Sequence, residues 1–292
     1  NDFAQVTYCP LTQEGNIEPL EGVNISHPHC HALVSLHGGQ VLRFKPNGHK
    51  DILWLSDSSH YKSGKAIRGG IPICWPWFGV NDKQTADKKV GNHGFARQLS
   101  WHLESVDADE NGVTLVLVLE GDNQHPLWPY AYHLKQTLFF GEHFKQRLTM
   151  TNLSEEDAQY SAALHSYFTV SHPKNITIDT LTGVTFNDKL SGELAVENKT
   201  VNCVGEVDRV YHSQEKMVMT DAHWQRKVEV SSHNCQQWVL WNPGTVLANT
   251  MTDIHAEGEH EYVCLEAANA NWQKLSAGET VTISQEIKVI NE

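Results

Sequence analysis

The chain has 292 residues, of which 22 are Lys or Arg and 35 are Asp or Glu, giving a formal net charge of −13. That acidity, with no basic run to offset it, excludes nucleic acid and anionic membrane surfaces as partners, and no apolar stretch is long enough for a membrane span. Hydrophobic residues at 40% and charged residues at 20% are a globular composition with a sizeable core.

The N-terminal NDFAQVTYCP lacks the basic-then-apolar pattern of a signal peptide. The six cysteines (Cys9, Cys30, Cys74, Cys203, Cys235 and Cys264) are scattered and form no CxxC pair. Reduced thiols in a cytoplasmic monomer are the reading these features support.

In chain order, the first distinctive run is HPHCHALVSLHGG. Placed on one strand, His29 and His31 would share a side, a spacing able to chelate zinc or copper. No matching cluster can be read elsewhere, so the His27–His31 run is taken as a polar strand edge and no metal is expected. Next comes IRGGIPICWPWFG, Ile67 to Gly79, too broken for a helix and too apolar for a surface loop. GNHGFARQLSW follows it from Gly91 to Trp101. Arg68, Asn92, His93 and Arg97 thus lie in irregular, glycine-flanked backbone that a ligand can approach closely. Guanidinium groups suit phosphate or sugar hydroxyls, and equally suit structural carboxylates; spacing alone does not choose.

The middle of the chain has a period of two. QLSWHLESV and GVTLVLVLEGD read as a hairpin through Asn111-Gly112, the second strand apolar on both sides as if covered on both faces. YHLKQTLFFGEHFKQRLTMTN reads as another hairpin turning at Gly141-Glu142. SAALHSYFTVS places His165 in an apolar, strand-like segment, where a histidine is ordinarily a core residue bonded to backbone. In GEVDRVYH, Asp208 and Arg209 read as a solvated pair or a ligand contact. VLWNPGTV sets Trp241 before an Asn-Pro-Gly turn, an aromatic face able to stack on a sugar. EYVCLEAANA puts Glu266 late in an apolar strand, which is costly without partners and marks an ion pair or a tuned base. TVTISQEIKVI alternates Val281, Ile283, Ile287 and Val289 against polar neighbours. No helical window, repeat or linker interrupts this pattern. The expected architecture is one all-β domain, residues 1–292, folded as a large antiparallel β-sandwich.

Taken together and in order, RGGIPICWPWFG, HGFAR, ALHSYF, DRVY, WNPG and YVCLE resemble the glucose-6-phosphate 1-epimerase family. These are the hexose-6-phosphate mutarotases of the aldose 1-epimerase superfamily. The likeness runs from about Leu53 to Glu266. It implies a galactose-mutarotase-like supersandwich that needs no cofactor and interconverts the α and β anomers of a hexose 6-phosphate. It also implies His165 as catalytic acid and Glu266 as catalytic base. Arg68, Arg97 and Asp208 match substrate-binding positions, and His93 a further substrate contact. Asn92 stands where some members carry glutamine. The alternatives are a mutarotase for unphosphorylated aldoses and a carbohydrate-binding sandwich without turnover.

Overall fold

Alternation of apolar and polar side chains drives the sequence into sheets, because each strand can then bury one face. The computed structural model describes residues 3–12, 18–83 and 91–290. It contains a four-stranded antiparallel sheet and two eight-stranded sheets. The first four strands, Gln5–Leu11, Leu20–His27, Cys30–Ser35 and Gln40–Pro46, make the small sheet in simple chain order. The back sheet is centred on Tyr132–Gly141, Phe144–Asn152 and Thr280–Ile290. The front sheet is centred on Gln237–Asn242, Tyr262–Leu275 and Ala158–Leu164. One continuous core draws on all three, including Phe44, Leu148, Ile283 and Leu265.

Both predicted hairpins form. His102–Ala108 pairs with Gly112–Gly121, and Tyr132–Gly141 pairs with Phe144–Asn152 with Phe140 opposite Phe144. The expectation that the GVTLVLVLEGD strand is covered on both faces is not met. Val113, Leu115 and Leu117 are fully buried, whereas Thr114, Val116 and Val118 on the other face stay half-exposed. β-Branched and aliphatic residues suit an outward sheet face, so an apolar run alone overstates coverage. Coverage on both faces is found instead in the front sheet, as in Tyr262–Leu275, whose first eight residues are all buried.

The inward face of the back sheet carries three buried glutamines among its aliphatic residues, and each amide needs a partner there. Gln136 donates to the Gly39 carbonyl (2.6 Å), and Gln146 donates to Gln136 Oε1 (2.6 Å). Gln285 donates to Gln146 Oε1 (2.8 Å) and to Ser166 Oγ (3.0 Å). The chain of amides thus crosses the sandwich and ends one residue beyond His165. There the front sheet is interrupted between Leu164 and Tyr167, and the His165 N–H is taken up by the Pro72 carbonyl at 3.0 Å.

The Ile67–Gly79 segment threads between the small and front sheets. Trp75 and Trp77 are buried in the main core, and Ile73–Cys74 pairs with Ala158–Leu164 at the sheet edge. Gly70 has φ +62°, and a Cβ there would stand 2.0 Å from the Val41 carbonyl oxygen. Only glycine fits. Gly70→Ala is therefore expected to destabilise the fold by about 2 kcal/mol or more in urea unfolding. Gln285→Leu strands both Gln146 and Ser166 and should cost about 1–3 kcal/mol by the same assay.

Candidate active site

Strand alternation decides which side chains leave the core for the outer face of the front sheet. Along Tyr262–Leu275, Val263, Leu265 and Ala267 enter the main core, so Cys264, Glu266 and Ala268 take the opposite face. Register then sets their neighbours: Trp241 lies opposite Cys264 and Val239 opposite Glu266. Asp208 lies opposite Trp241 one strand further on. The same parity turns Arg209 to the other face, where it pairs with Asp188 (3.3 Å) and Glu197 (3.1 Å) rather than with Asp208.

The interruption after Leu164 brings His165 onto Glu266. His165 Nε2 lies 3.2 Å from Glu266 Oε1, with the side chains only 7% and 1% exposed. His165 Nδ1 and Glu266 Oε2 are buried without a hydrogen-bond partner among the described residues. Both atoms are therefore open to a hydrogen bond from a polar ligand. Tyr167 stacks on the imidazole with centroids 4.9 Å apart, and Trp241 meets it edge-on at 6.0 Å.

Burial dominates the electrostatics of the pair. It pushes Glu266 well above the usual carboxylate range, an effect increased by the nearby Asp208 charge and opposed by Arg97. It drives His165 down to about 3, with Arg97 and Arg68 adding repulsion. Both directions disfavour an imidazolium–carboxylate ion pair. They favour a neutral imidazole beside an uncharged carboxyl.

The two arginines differ. Arg68 donates through Nε to Asp253 Oδ2 (3.0 Å) and through a terminal nitrogen to the Tyr167 hydroxyl (2.8 Å). Its second terminal nitrogen is also 3.0 Å from Asp253 Oδ2. Arg97 meets no carboxylate at ion-pair distance among the described residues; it donates to the Asn92 carbonyl (3.0 Å), and its buried Nε has no partner there. Arg97 is the less compensated cation, and its charge reaches Glu266, His165 and His93.

His93 adopts φ +68° and accepts at Nδ1 from the Gly79 N–H (3.0 Å). Its pKa is lowered well below the ordinary value, first by burial and then by Arg97, His165, Arg68 and Lys189. The ring is therefore neutral and carries its proton on Nε2, edge-on to His165 at 5.6 Å. Asp208 is half-buried, its pKa raised by burial and moderated by Lys189.

His165, Glu266, Arg68, Arg97, His93 and Asp208 thus converge. Asn92 has an exposed side chain, and its contact with Arg97 is through backbone. The sequence reading missed Tyr167, Asp253 and Lys189. Tyr167 follows the break after Leu164, where strand parity does not hold, and Asp253 and Lys189 sit in turns that carry no pattern.

The His27–His31 run does not behave as one strand edge. Pro28 and His29 form the turn between Leu20–His27 and Cys30–Ser35, so His29 and His31 do not share a strand. His27 and His29 contact the carbonyls of Asp109 (3.0 Å) and Glu110 (3.1 Å) instead. All six cysteines are free, five of them buried. No described helix is long and apolar enough to cross a membrane.

This geometry can be compared with known proteins. The sequence model of the aldose 1-epimerase family matches residues 21–288. A protein of Salmonella typhimurium named "Putative glucose-6-phosphate 1-epimerase" is 33% identical over 265 residues, covering 89% of this chain and 87% of its own. An Escherichia coli protein of the same name is 32% identical over 289 residues, covering 96% and 94%. The crystal structure of a Salmonella typhimurium protein described as a "putative mutarotase" superposes with TM-score 0.86 at 30% identity, over 97% of both chains. Galactose 1-epimerase from Lactobacillus acidophilus shares the fold with TM-score 0.75 at 12% identity, over 98% of both chains. The sheets define a galactose-mutarotase-like sandwich. The chain belongs to the aldose 1-epimerase family and is an isomerase acting as an epimerase.

The buried pair has a stability signature. Glu266 binds its proton more tightly folded than unfolded, so its contribution is full at low pH and is lost as pH rises through the raised folded value. His165 acts in the opposite sense: its contribution is full above the ordinary histidine value and falls as pH drops toward about 3. Glu266→Gln removes the first liability. It is expected to raise the melting temperature at pH 8 by a few degrees, on the order of 2–4 °C per kcal/mol relieved, with the advantage vanishing near pH 4. Calorimetry across that range checks it.

Proposed function

We propose that this enzyme interconverts the α and β anomers of a hexose 6-phosphate, glucose 6-phosphate first among them. The observation that carries the reading is the buried His165–Glu266 contact, with unpartnered Nδ1 and Oε2, lying in the field of an arginine that no described carboxylate neutralises.

Anomer exchange needs a proton removed from the C1 hydroxyl and one delivered to the ring oxygen. Glu266 takes the first and His165 gives the second. Burial makes both better at this: a carboxylate with a raised pKa is a stronger base, and an imidazolium with a lowered pKa a stronger acid. Ring opening turns the charged form of the pair into the uncharged one. Rotation about C1–C2 presents the other carbonyl face, and closure runs both transfers backwards. The proton count is the same at the start and end of each turnover, so no cofactor is needed.

His93 Nε2–H and Asp208 hold ring hydroxyls on either side, and Trp241 offers an aromatic face to the sugar ring. Arg68, tied to Asp253 and Tyr167, is suited to hydroxyls and to fixing the Tyr167 ring under His165. Arg97 takes the phosphate, with Lys189 at the rim. A dianion approaching a chain of net charge −13 needs this local reversal of field.

Two-dimensional exchange NMR on the anomeric protons of glucose 6-phosphate tests the activity. His165→Asn and Glu266→Gln should each slow exchange by ~10²-fold or more while the fold is kept; no acceleration by the wild-type protein defeats the proposal. Arg97→Ala should raise KM for glucose 6-phosphate by ~10-fold or more, the loss of a charge-assisted hydrogen-bonded contact, and barely change exchange of free glucose. Equal losses on both sugars would favour the unphosphorylated aldose, a reading that the carboxylate on Arg68 would suit. Activity should follow a bell in pH, since the pair works only with one proton between its two members.

A further inference from the structure

Cys264 has no part in proton transfer at C1 and O5, yet it lies in the same cluster. Alternation places it one step along the strand from Glu266 on the same face. One ligand atom each from His165, Cys264 and Glu266 lie within 4.8 Å of one another, and all three residues are buried. Among the described residues this is the one group of three or more His, Cys, Asp or Glu side chains so gathered.

We propose that His165, Cys264 and Glu266 form an inhibitory site for a thiophilic divalent cation of the zinc type. Thiolate, imidazole and carboxylate are the donor set that zinc takes up, at about 2.0–2.3 Å from the metal. Donors around a tetrahedral ion therefore stand about 3.5 Å apart. Ligand atoms that lie within 4.8 Å of one another are close to that spacing. The unpartnered His165 Nδ1 and Glu266 Oε2 show that neither side chain is locked by a full set of hydrogen bonds. Three protein donors leave the fourth position to water or to a sugar hydroxyl, on the side where Trp241 and Asp208 stand.

On binding, the Cys264 thiol and the His165–Glu266 pair each release a proton to solvent as the sulfur, the imidazole nitrogen and the carboxylate oxygen join the metal. Burial holds that thiol protonated, its pKa raised well above the ordinary value. The cation must displace the proton, so binding tightens as pH rises. Magnesium and calcium, which prefer oxygen donors, gain nothing from the sulfur and should not compete. Capture of the acid and base together stops anomer exchange; this clause rests on the function proposed above, whereas the binding itself does not.

Cobalt(II) is the probe, because a cobalt–thiolate bond gives a near-ultraviolet charge-transfer band that histidine or carboxylate sites elsewhere on the chain cannot produce. One equivalent of cobalt at pH 8 should raise the band, zinc should bleach it, and magnesium should leave it unchanged. Cys264→Ser should abolish it, while Cys74→Ser should retain it. No band in the wild-type protein, or a band that survives Cys264→Ser, overturns the site. In the exchange assay zinc should slow turnover, a chelator should restore it, and Cys264→Ser should need at least ~10-fold more zinc for the same inhibition. If the protein shows no exchange at all, the proposed function fails while the cobalt band still decides the cation site.

Discussion

A histidine and a glutamate held 3.2 Å apart with almost no solvent contact is the constraint around which the front sheet is organised. An ionisable pair survives burial only if its neighbours fix it and its charge state is negotiable. Both conditions are visible. Tyr167 and Trp241 hold the imidazole by its ring, while Glu266 pairs with Val239 on one side and is flanked on the other by the Ala267–Leu164 and Cys264–Tyr167 pairs. Burial shifts both groups toward their uncharged forms. In the proposed reaction, the same desolvation that disfavours the ion pair strengthens the acid and the base.

The sandwich supplies rigidity to this arrangement from behind. The Gln136–Gln146–Gln285 chain is a line of polar groups inside an otherwise apolar core, and its last bond reaches Ser166. Apolar packing alone would define the interior volume, but directional bonds define where the break after Leu164 must fall. That break is what swings His165 toward Glu266. From the other side, the Ile67–Gly79 segment anchors the His165 backbone through Pro72 and carries Arg68 to the mouth. Stability and chemistry thus meet in one short stretch of irregular backbone.

Much of the fold was legible. The period-two runs from Tyr132 to Asn152 and from Thr280 to Ile290 pair as their alternation requires, because one buried face fixes register. His165 and Glu266 stood out as an imidazole and a carboxylate inside apolar strands. What the run GVTLVLVLEGD could not reveal was coverage, since outward valines are tolerated on a half-exposed face. The histidines at 27–31 misled for a related reason: side-chain parity holds only within a strand, and Pro28 ends that strand.

Composition and alternation by themselves determined an acidic, all-β chain with two buried ionisable residues and two arginines in glycine-rich loops. These follow from local rules, in which each residue answers to its near neighbours along the chain. Only the tertiary structure decided how the arginines differ. Arg68 is matched by Asp253, 185 residues away, and Arg97 by no described carboxylate. It also decided that Cys264 lies beside His165 and Glu266 and that Arg209 turns away from Asp208. Charge compensation is a property of distance in space, and distance between remote segments is set by sheet register rather than by any motif in the chain.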